Sequence, residues 1–292
     1  MSAPREQTGG PTAGGPQGSG PHAPAGGPQG PTAAGSQVPA AGAPHVPTAG
    51  GGRRGKRGLV VAIDGPSGSG KSTVSRRLAS ELALAYLDTG ATYRAATWWC
   101  QRRGVDLDDV PAVAAAVRAL PLTMVTDPAD PRVICDGVDV TTAIRTAELS
   151  AVVSKVATNL EVRAELRRRQ RAIIEAEATD PGATAGGRGV VAEGRDITTV
   201  VAPDADVRIL LVADEDARLA RRARELHGAA DAASIAVTRD VVVRRDADDA
   251  TVSAFFTAAD GVVTIDSSGL GREETFAAVL AAVRAATEEA GR

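Results

Sequence analysis

Histidine and cysteine are scarce in this sequence, and their scarcity excludes several kinds of chemistry. The chain of 292 residues has three histidines, and two of them, His22 and His45, precede residue 50. Ser-His-Asp hydrolysis, His-ligated zinc and papain-like catalysis need more histidine than His227 alone supplies. Cys100 and Cys135 are too few for a disulfide framework or a cysteine-rich metal site, and they fit a reducing cytosol.

Long apolar runs and an excess of positive charge are also missing. No stretch approaches the ~20 apolar residues that span a bilayer, so we predict no contact with a membrane. The formal net charge is −3, which argues against a nucleic-acid partner for the chain as a whole. We expect a cytoplasmic protein that acts on a small molecule.

The first part of the chain has little that could form a core. Residues 1–57 are nearly all Gly, Pro, Ala, Thr, Ser and Gln, and 10 of the 17 prolines precede residue 50. Such a segment cannot bury enough apolar surface to offset the entropy lost on ordering. We predict a disordered tail at 1–57 and one folded domain at 58–290.

Within that domain, apolar runs alternate with helical patterns. Leu59–Ile63 reads as a buried strand, and a helix follows over Ser72–Leu84, with Val74, Leu78 and Leu82 on one face. The other predicted central strands are 189–192, 207–212 and 261–265, with helices at 161–178, 215–226 and 272–290. The alternation predicts a three-layer α/β/α fold with a doubly wound parallel sheet. Turn dipeptides interrupt it between about 121 and 145, where we predict a small antiparallel insert.

A glycine-rich loop joins the first strand to the first helix. Residues 65–72 match the pattern G-x-x-x-x-G-K-[ST], in the strand–loop–helix context that phosphate binding requires. Lys71 is predicted to reach the β- and γ-phosphates of ATP, and Ser72 to bind Mg²⁺. The predicted nucleotide-binding residues are Gly65, Pro66, Ser67, Gly68, Ser69, Gly70, Lys71, Ser72 and Thr73.

Further polar motifs follow at positions expected near the ends of strands. They are Asp88-Thr89-Gly90-Ala91-Thr92-Tyr93-Arg94, Asp136-Gly137 with Ile144-Arg145, Arg163 with Leu166 and Gln170-Arg171, Glu193-Gly194-Arg195-Asp196-Ile197, and Arg244-Arg245-Asp246 with Asp249. With the glycine loop, these motifs resemble the bacterial cytidylate kinases of the P-loop nucleoside monophosphate kinase superfamily. The resemblance runs from about residue 59 to 285.

The resemblance implies an activity, a set of site residues and a monomer. The activity is transfer of the γ-phosphate of ATP to CMP or dCMP. Catalytic roles fall on Lys71, Arg195 and Arg221. Substrate contacts fall on Thr89 beside CMP, Arg94 and Arg195 at its phosphate, Ser154, Arg163 and Asp196 at cytosine, and Arg245 and Asp249 at the ribose. The nucleotide-binding insert covers about 121–175 and a helical lid about 215–250, with Arg218, Arg221 and Arg222 over the ATP phosphates.

The chemistry of cytosine agrees with the base-reading pair. A carboxylate such as that of Asp196 accepts from the N4 amine, and a guanidinium such as that of Arg163 donates to the ring. Uracil has a carbonyl at that edge, which would face the carboxylate lone pairs. Two alternatives stay open: a P-loop kinase for UMP, AMP or a sugar acid, and a weakened nucleotide-binding homologue. The run Arg167–Arg169 is interpreted as a solvated helix face.

One geometric prediction concerns Ser154 and Arg163, which are nine residues apart. In an unbroken helix nine residues turn through about 900°, which places the two on opposite sides. We therefore predict a break near Asn159, with Asn159 capping the second helix. The family usually has proline where Leu160 stands, and glycine where Thr198 stands.

The departure at Val252 generates a prediction about affinity. The family has an arginine there, three residues after Asp249, which binds the CMP phosphate. Loss of a charge-assisted phosphate contact costs on the order of 1.5–3 kcal/mol, so the KM for CMP is expected to be raised roughly ten- to hundredfold unless Arg244 replaces the contact. Steady-state kinetics with CMP as the varied substrate measure this. A KM in the ordinary range of such kinases, with no replacement contact, contradicts it.

Overall fold

A computed structural model describes residues 57–290, so the predicted tail at 1–57 lies outside the described residues except for Arg57. The strands are β1 Leu59–Asp64, β2 Ala85–Asp88, β3 Leu122–Val125, β4 Arg132–Cys135, β5 Val138–Asp139, β6 Gly189–Gly194, β7 Val207–Val212 and β8 Val263–Asp266. The α-helices are α1 Lys71–Glu81, α2 Thr89–Arg102, α3 Val110–Arg118, α4 Ala147–Ala157, α5 Leu160–Thr179, α6 Glu215–His227, α7 Ala232–Ala250 and α8 Arg272–Ala290.

The central sheet has five parallel strands in the order β2-β6-β1-β7-β8. β1 lies in the middle and pairs with β6 along its whole length, so Asp64 aligns with Gly194. Asp88, the last residue of β2, aligns with Glu193 of β6. This order and direction bring the carboxyl ends of β1, β2 and β6 together at one edge, where ligands of such sheets bind.

Helices cover both faces of this sheet because β1 is apolar on both sides. Val61 and Ile63 pack with α1 and α8 through residues such as Leu78 and Val279. Val60 and Ala62 point to the other face, which α5 covers. The continuous apolar run of β1 is what a strand buried on both faces requires. The predicted three-layer doubly wound fold is confirmed.

The predicted antiparallel insert is also confirmed. β3, β4 and β5 form a separate antiparallel sheet in the order β3-β4-β5. Its buried residues, among them Val133 and Cys135, share a core with α2, α3, α4 and α5, and Trp98 and Trp99 lie in or against that core. The sheet therefore belongs to a second apolar cluster beside the main sheet.

The break between Ser154 and Arg163 is where the spacing predicts it. α4 ends at Ala157 and α5 begins at Leu160. The side chain of Asn159 accepts hydrogen bonds from the backbone N–H groups of Glu161 and Val162, at 3.0 and 3.3 Å, which satisfies two free donors of the first turn of α5. Its amide also donates to the carbonyl of Val110, at 2.9 Å.

The sequence prediction missed one central strand. β2, with the sequence Ala-Tyr-Leu-Asp, has only four residues and no β-branched residue, so the strand pattern is too weak to detect alone. Its place is fixed by pairing with β6. The predicted helical segment at 215–250 comprises two helices, α6 and α7. Across residues 57–290, we find no helix with the length and apolar character needed to cross a bilayer.

The cap at Asn159 gives a stability prediction. Asn159→Ala should lower the free energy of unfolding by about 1 kcal/mol, because it leaves the first N–H groups of α5 without their acceptor. The shift in the urea unfolding midpoint measures this loss. Asn159→Ser is the matched control: its hydroxyl oxygen can accept from the same N–H groups, and both variants lose the bond to the carbonyl of Val110, so Asn159→Ser should lose less than Asn159→Ala. Equal losses in the two variants would show that the cap contributes nothing.

Candidate active site

The glycine loop lies between the end of β1 and the start of α1, and close packing dictates its glycines. A Cβ on Gly65 would lie 2.1 Å from the carbonyl oxygen of Leu211, and a Cβ on Gly68 would lie 2.5 Å from that of Arg218. Both residues also have positive φ, 153° and 79°. A larger residue would collide with backbone at both positions, so the loop keeps its shape only with glycine there.

The two polar side chains that follow the loop are held by neighbouring protein groups. Lys71 donates from Nζ to the carbonyl of Pro66, at 2.9 Å, and burial lowers the pKa of its ammonium. Ser72 donates from Oγ to Oε1 of Glu193, at 2.6 Å. Burial, and then the nearby Asp88, raise the pKa of Glu193. Both side chains are therefore positioned at the mouth of the loop before any ligand arrives.

A cavity of about 210 Å³ opens in front of the loop. This loop cavity is lined by the glycine loop, three carboxylates and five arginines: Ser67, Gly68, Gly70, Lys71, Ser72, Thr73, Asp88, Glu193, Glu225, Arg94, Arg145, Arg195, Arg222 and Arg245, with Gly90 and Gly194. Burial and then Arg245 and Arg222 lower the pKa of Arg94 to about 9, and burial and then Arg195 lower that of Arg245 to about 10. Placing these positively charged guanidinium groups close together is unfavourable, and a bound anion would offset their repulsion.

A second, narrower cavity adjoins the first. This inner cavity is lined by Thr89, Gly90, Tyr93, Val153, Ala157, Arg163, Gly194, Arg195, Asp196, Arg245, Asp249 and Ser253. Arg195 and Arg245 line both cavities, so the two form one continuous site. Arg163 and Asp196 form an ion pair of 2.7 Å in the inner cavity, and their side chains are only 5% and 6% exposed. A buried pair of this kind is retained at a cost in desolvation, which suggests a role in recognition.

Several buried donors around the inner cavity have no hydrogen-bond partner in the described part of the chain. Within residues 57–290, no hydrogen bond reaches the Tyr93 hydroxyl, Nε of Arg163, Nη1 of Arg195 or Nε of Arg245. Burial raises the pKa of Tyr93 to about 12, so its hydroxyl keeps its proton. Unpaired buried donors are costly, and a ligand with several acceptor atoms would satisfy them.

Asp246 on α7 connects the parts of this site. Its Oδ1 accepts from Nη2 of Arg195, at 2.8 Å, and from the backbone N–H of Ser67, at 3.4 Å, while its Oδ2 accepts from Arg218 of α6. Arg195 also pairs with Asp249, at 2.7 Å, and its guanidinium lies 4.3 Å from the ring centroid of the buried Phe255. Asp246 therefore joins the glycine loop, α6, α7 and the loop after β6.

Most of the predicted substrate residues lie together in the inner cavity. They are Thr89, Arg163, Arg195, Asp196, Arg245 and Asp249. Arg94 lies in the loop cavity, where Nη1 donates to Oγ of Ser150, at 2.8 Å. Ser154 lines neither cavity, although Val153 and Ala157 on the same helix line the inner one. Ser154 is therefore not part of the wall of the cavity that holds the pair formed by Arg163 and Asp196.

The arginines of α6 divide between two cavities. Arg222 lines the loop cavity. Arg221 instead donates to Oγ and the carbonyl of Ser267, at 3.0 and 2.6 Å, and lines an outer cavity with Leu270 that shares Gly70 and Thr73 with the loop cavity. The arginine of this pair that lines the loop cavity is therefore Arg222, one residue after the predicted Arg221. Arg244, expected as a replacement for the missing arginine, is exposed and lines none of these cavities.

Sequence reasoning missed Asp88, Arg145, Glu193 and Asp246 as site residues. Arg145 and Asp88 form an ion pair of 2.9 Å at the loop cavity. All four stand inside the motifs that carry the resemblance. For Asp246 a signal was present, because it lies three residues before Asp249 on one helix and so shares its face. For Asp88 and Glu193, only the register between β2 and β6 reveals the pairing.

A doubly wound sheet, a phosphate-binding loop at its central strand and an adjoining buried polar cavity together define a P-loop kinase of small molecules. Comparison with known proteins identifies the family within this class of kinases. The family model described as cytidylate kinase matches residues 61–285, and the chain belongs to that family.

Curated relatives described as cytidylate kinase cover the same part of the chain. One from Streptomyces avermitilis is 42% identical over 226 residues, which are 77% of this chain and 92% of the relative. One from Cutibacterium acnes is 47% identical over 223 residues, 76% of this chain and 94% of the relative. One from Nocardia farcinica is 46% identical over 218 residues, 74% of this chain and 89% of the relative.

The network around Asp246 yields a prediction. Asp246→Ala should lower the free energy of unfolding by about 3–5 kcal/mol, because it removes the buried carboxylate that pairs with both Arg195 and Arg218. Asp248→Ala is the matched control on the same helix, since the structure records no hydrogen bond or ion pair from the Asp248 carboxylate within residues 57–290. Chemical unfolding of both variants measures the difference. Similar small losses in the two would contradict the connecting role of Asp246.

Proposed function

We propose that this protein transfers the γ-phosphate of ATP to CMP or dCMP, giving ADP and CDP or dCDP. The observation that carries the proposal is the buried pair of Arg163 and Asp196 in a cavity continuous with the arginine-lined loop cavity. The pair has the hydrogen-bonding pattern that cytosine requires, and the arginines beside it offer the positive charge that a nucleotide phosphate requires. Membership of the cytidylate kinase family supports the same acceptor.

The glycine loop would hold the donor nucleotide. Residues of the loop and of the start of α1 line the loop cavity, and Lys71 would move from the carbonyl of Pro66 to the β- and γ-phosphates. Arg222 lines the same cavity from α6, so we assign it the charge-neutralising role that the resemblance implies for Arg221. We propose that α6 and α7, within 215–250, act as the lid and that 121–175 acts as the nucleotide-binding insert.

The residues at Ser72 fit a magnesium ion. Oγ of Ser72 and Oε1 of Glu193 are 2.6 Å apart and line the loop cavity with Asp88, which makes a set of oxygen donors of the kind that Mg²⁺ prefers. Ser72 would bind the ion directly, and Glu193 would orient the Ser72 hydroxyl or a water bound to the metal. Bound there, Mg²⁺ would neutralise charge on the β- and γ-phosphates.

The acceptor would lie across the inner and loop cavities. Arg94 and Arg195 would hold its phosphate, Arg245 and Asp249 its ribose, and Asp196 with Arg163 its base. Little covalent chemistry is needed, because phosphoryl transfer depends on alignment and positive charge around the migrating group. Ser154 remains a predicted base contact that requires movement of α4, since its side chain lines neither cavity in this structure.

The inner cavity has about 50 Å³ of free space. Ligand pockets in general have roughly 300–1,000 Å³, so a pyrimidine ring can enter only if side chains around the pair move. The four donors without hydrogen-bond partners are the groups that gain contacts from such a rearrangement.

We further propose that the protein works as a monomer in the cytoplasm, where its ATP and nucleotide substrates are supplied.

The substrate proposal and the role of Asp196 are tested together. ADP release is measured with ATP and Mg²⁺ against CMP, dCMP, UMP and AMP, for the unsubstituted protein and for Asp196→Asn. We expect turnover with CMP and dCMP well above that with UMP and AMP. In Asp196→Asn the ratio of kcat/KM for CMP over UMP should fall on the order of 100-fold or more, because the amide donates toward uracil O4 instead of accepting from N4.

Other outcomes point to the alternatives. Preference of the unsubstituted protein for UMP or AMP would make it a kinase for another acceptor. ATP binding without ADP release from any of the four would make it a weakened nucleotide-binding homologue. An unchanged ratio in Asp196→Asn, with normal CMP turnover, would contradict the role of Asp196 in base recognition and leave the substrate proposal standing.

A further inference from the structure

Arg167 lies one helical turn after Arg163 on α5, and both guanidiniums reach the same carboxylate. Arg163 donates from Nη2 to Oδ2 of Asp196, at 2.7 Å. Arg167 donates to the same oxygen from Nη2 and Nε, at 3.1 and 3.3 Å. No donor within residues 57–290 makes a hydrogen bond to Oδ1 of Asp196. One oxygen of this buried carboxylate is thus fully engaged, and the other is available.

The two arginines are not equivalent. Arg163 has further partners, because Nη1 donates to the carbonyl of Ala157, at 3.1 Å, and Nη2 also donates to Oγ of Ser253, at 2.6 Å. Its Nε is buried and unpaired at the inner cavity. Arg167 lines neither the loop cavity nor the inner one, and within residues 57–290 its side chain donates hydrogen bonds to Asp196 alone.

The neighbouring arginines of the same run serve other purposes, which corrects the interpretation of 167–169 as one solvated face. Arg168 is 68% exposed and pairs with Glu165. Arg169 donates to the carbonyls of Val117, Arg118 and Leu120, at the end of α3. Only Arg167, whose side chain is 28% exposed, reaches the site. The i, i+4 spacing from Arg163 places both on the same face of α5.

We propose that Arg167 is a positioning residue for recognition of the acceptor base. It holds Oδ2 of Asp196, so that Oδ1 remains free to accept from an exocyclic amine. It also keeps the carboxylate paired when Arg163 shifts to admit the ring and donates to it, which the small free volume of the inner cavity requires. A single arginine would have to abandon Asp196, at a cost in buried charge, in order to bind the base. The inference rests on the proposed function.

The test compares Arg167→Gln with Arg168→Gln, which removes the same charge from the adjacent position. In Arg167→Gln the KM for CMP should rise about tenfold, equivalent to about 1.4 kcal/mol. The kcat should change by less than about twofold, because the transferred phosphate is bound elsewhere. The ratio of kcat/KM for CMP over UMP should fall about tenfold, since only cytosine uses the free oxygen of Asp196. Arg168→Gln should match the unsubstituted protein, and Arg167→Lys should recover part of the ratio.

A merely structural role for Arg167 would give a different pattern. Arg167→Gln would then lose CMP and UMP turnover equally, with a lower melting temperature and a raised KM for ATP, and this result would overturn the inference. An Arg167→Gln protein with the original KM for CMP and the original ratio would overturn it as well. Failure of the proposed function appears in the unsubstituted protein, as an absence of preference for CMP, and would overturn both.

Discussion

Asp64, at the end of the central strand, fixes the relation between the two halves of the site. Its carboxylate accepts from the backbone N–H of Ile197 and from the N–H and hydroxyl of Thr198, at 2.9, 2.8 and 2.7 Å. The glycine loop starts at the residue that follows Asp64. The turn at Ile197 and Thr198, which Asp64 holds, comes directly after Arg195 and Asp196. The glycine loop and the Asp196 carboxylate are therefore held together by one buried carboxyl group, whose pKa burial raises.

Thr198 shows how a departure from the family pattern is used. A glycine at this position could not supply the hydroxyl that Asp64 accepts here. Val252 has no such explanation in its surroundings, since its side chain lines none of the three cavities. The positive charge at the loop cavity instead includes Arg145 and Arg222, which approach from the segment before α4 and from α6.

The charges of this protein fall into two groups of different weight. Exposed pairs such as that of Lys155 with Asp108 contribute about 0–1 kcal/mol, because water screens them. The buried pairs around Asp196 and Asp246 are expensive to desolvate, and all of them border the site. Within residues 57–290, their arrangement leaves specific atoms without a hydrogen-bond partner: Oδ1 of Asp196 and the four donors around the inner cavity. Those free atoms, more than the paired ones, define what the site can recognise.

The sequence by itself determined the features that depend on neighbouring residues. The buried run of β1, the glycine loop, the amphipathic α1 and the cap at Asn159 each follow from local rules of periodicity, φ angle or hydrogen bonding. The motifs also indicated the family, and they included six of the residues that line the inner cavity.

The tertiary structure alone decided what depends on contacts across the chain. β2 is a strand because it pairs with β6, and Asp88 meets Glu193 through that register. Arg222 rather than Arg221 lines the loop cavity, and Val153 and Ala157 rather than Ser154 line the inner one, because tertiary packing sets how α6 and α4 are rotated about their axes. Arg167 touches Asp196 only because α5 packs against the turn after β6, a contact that no local pattern encodes.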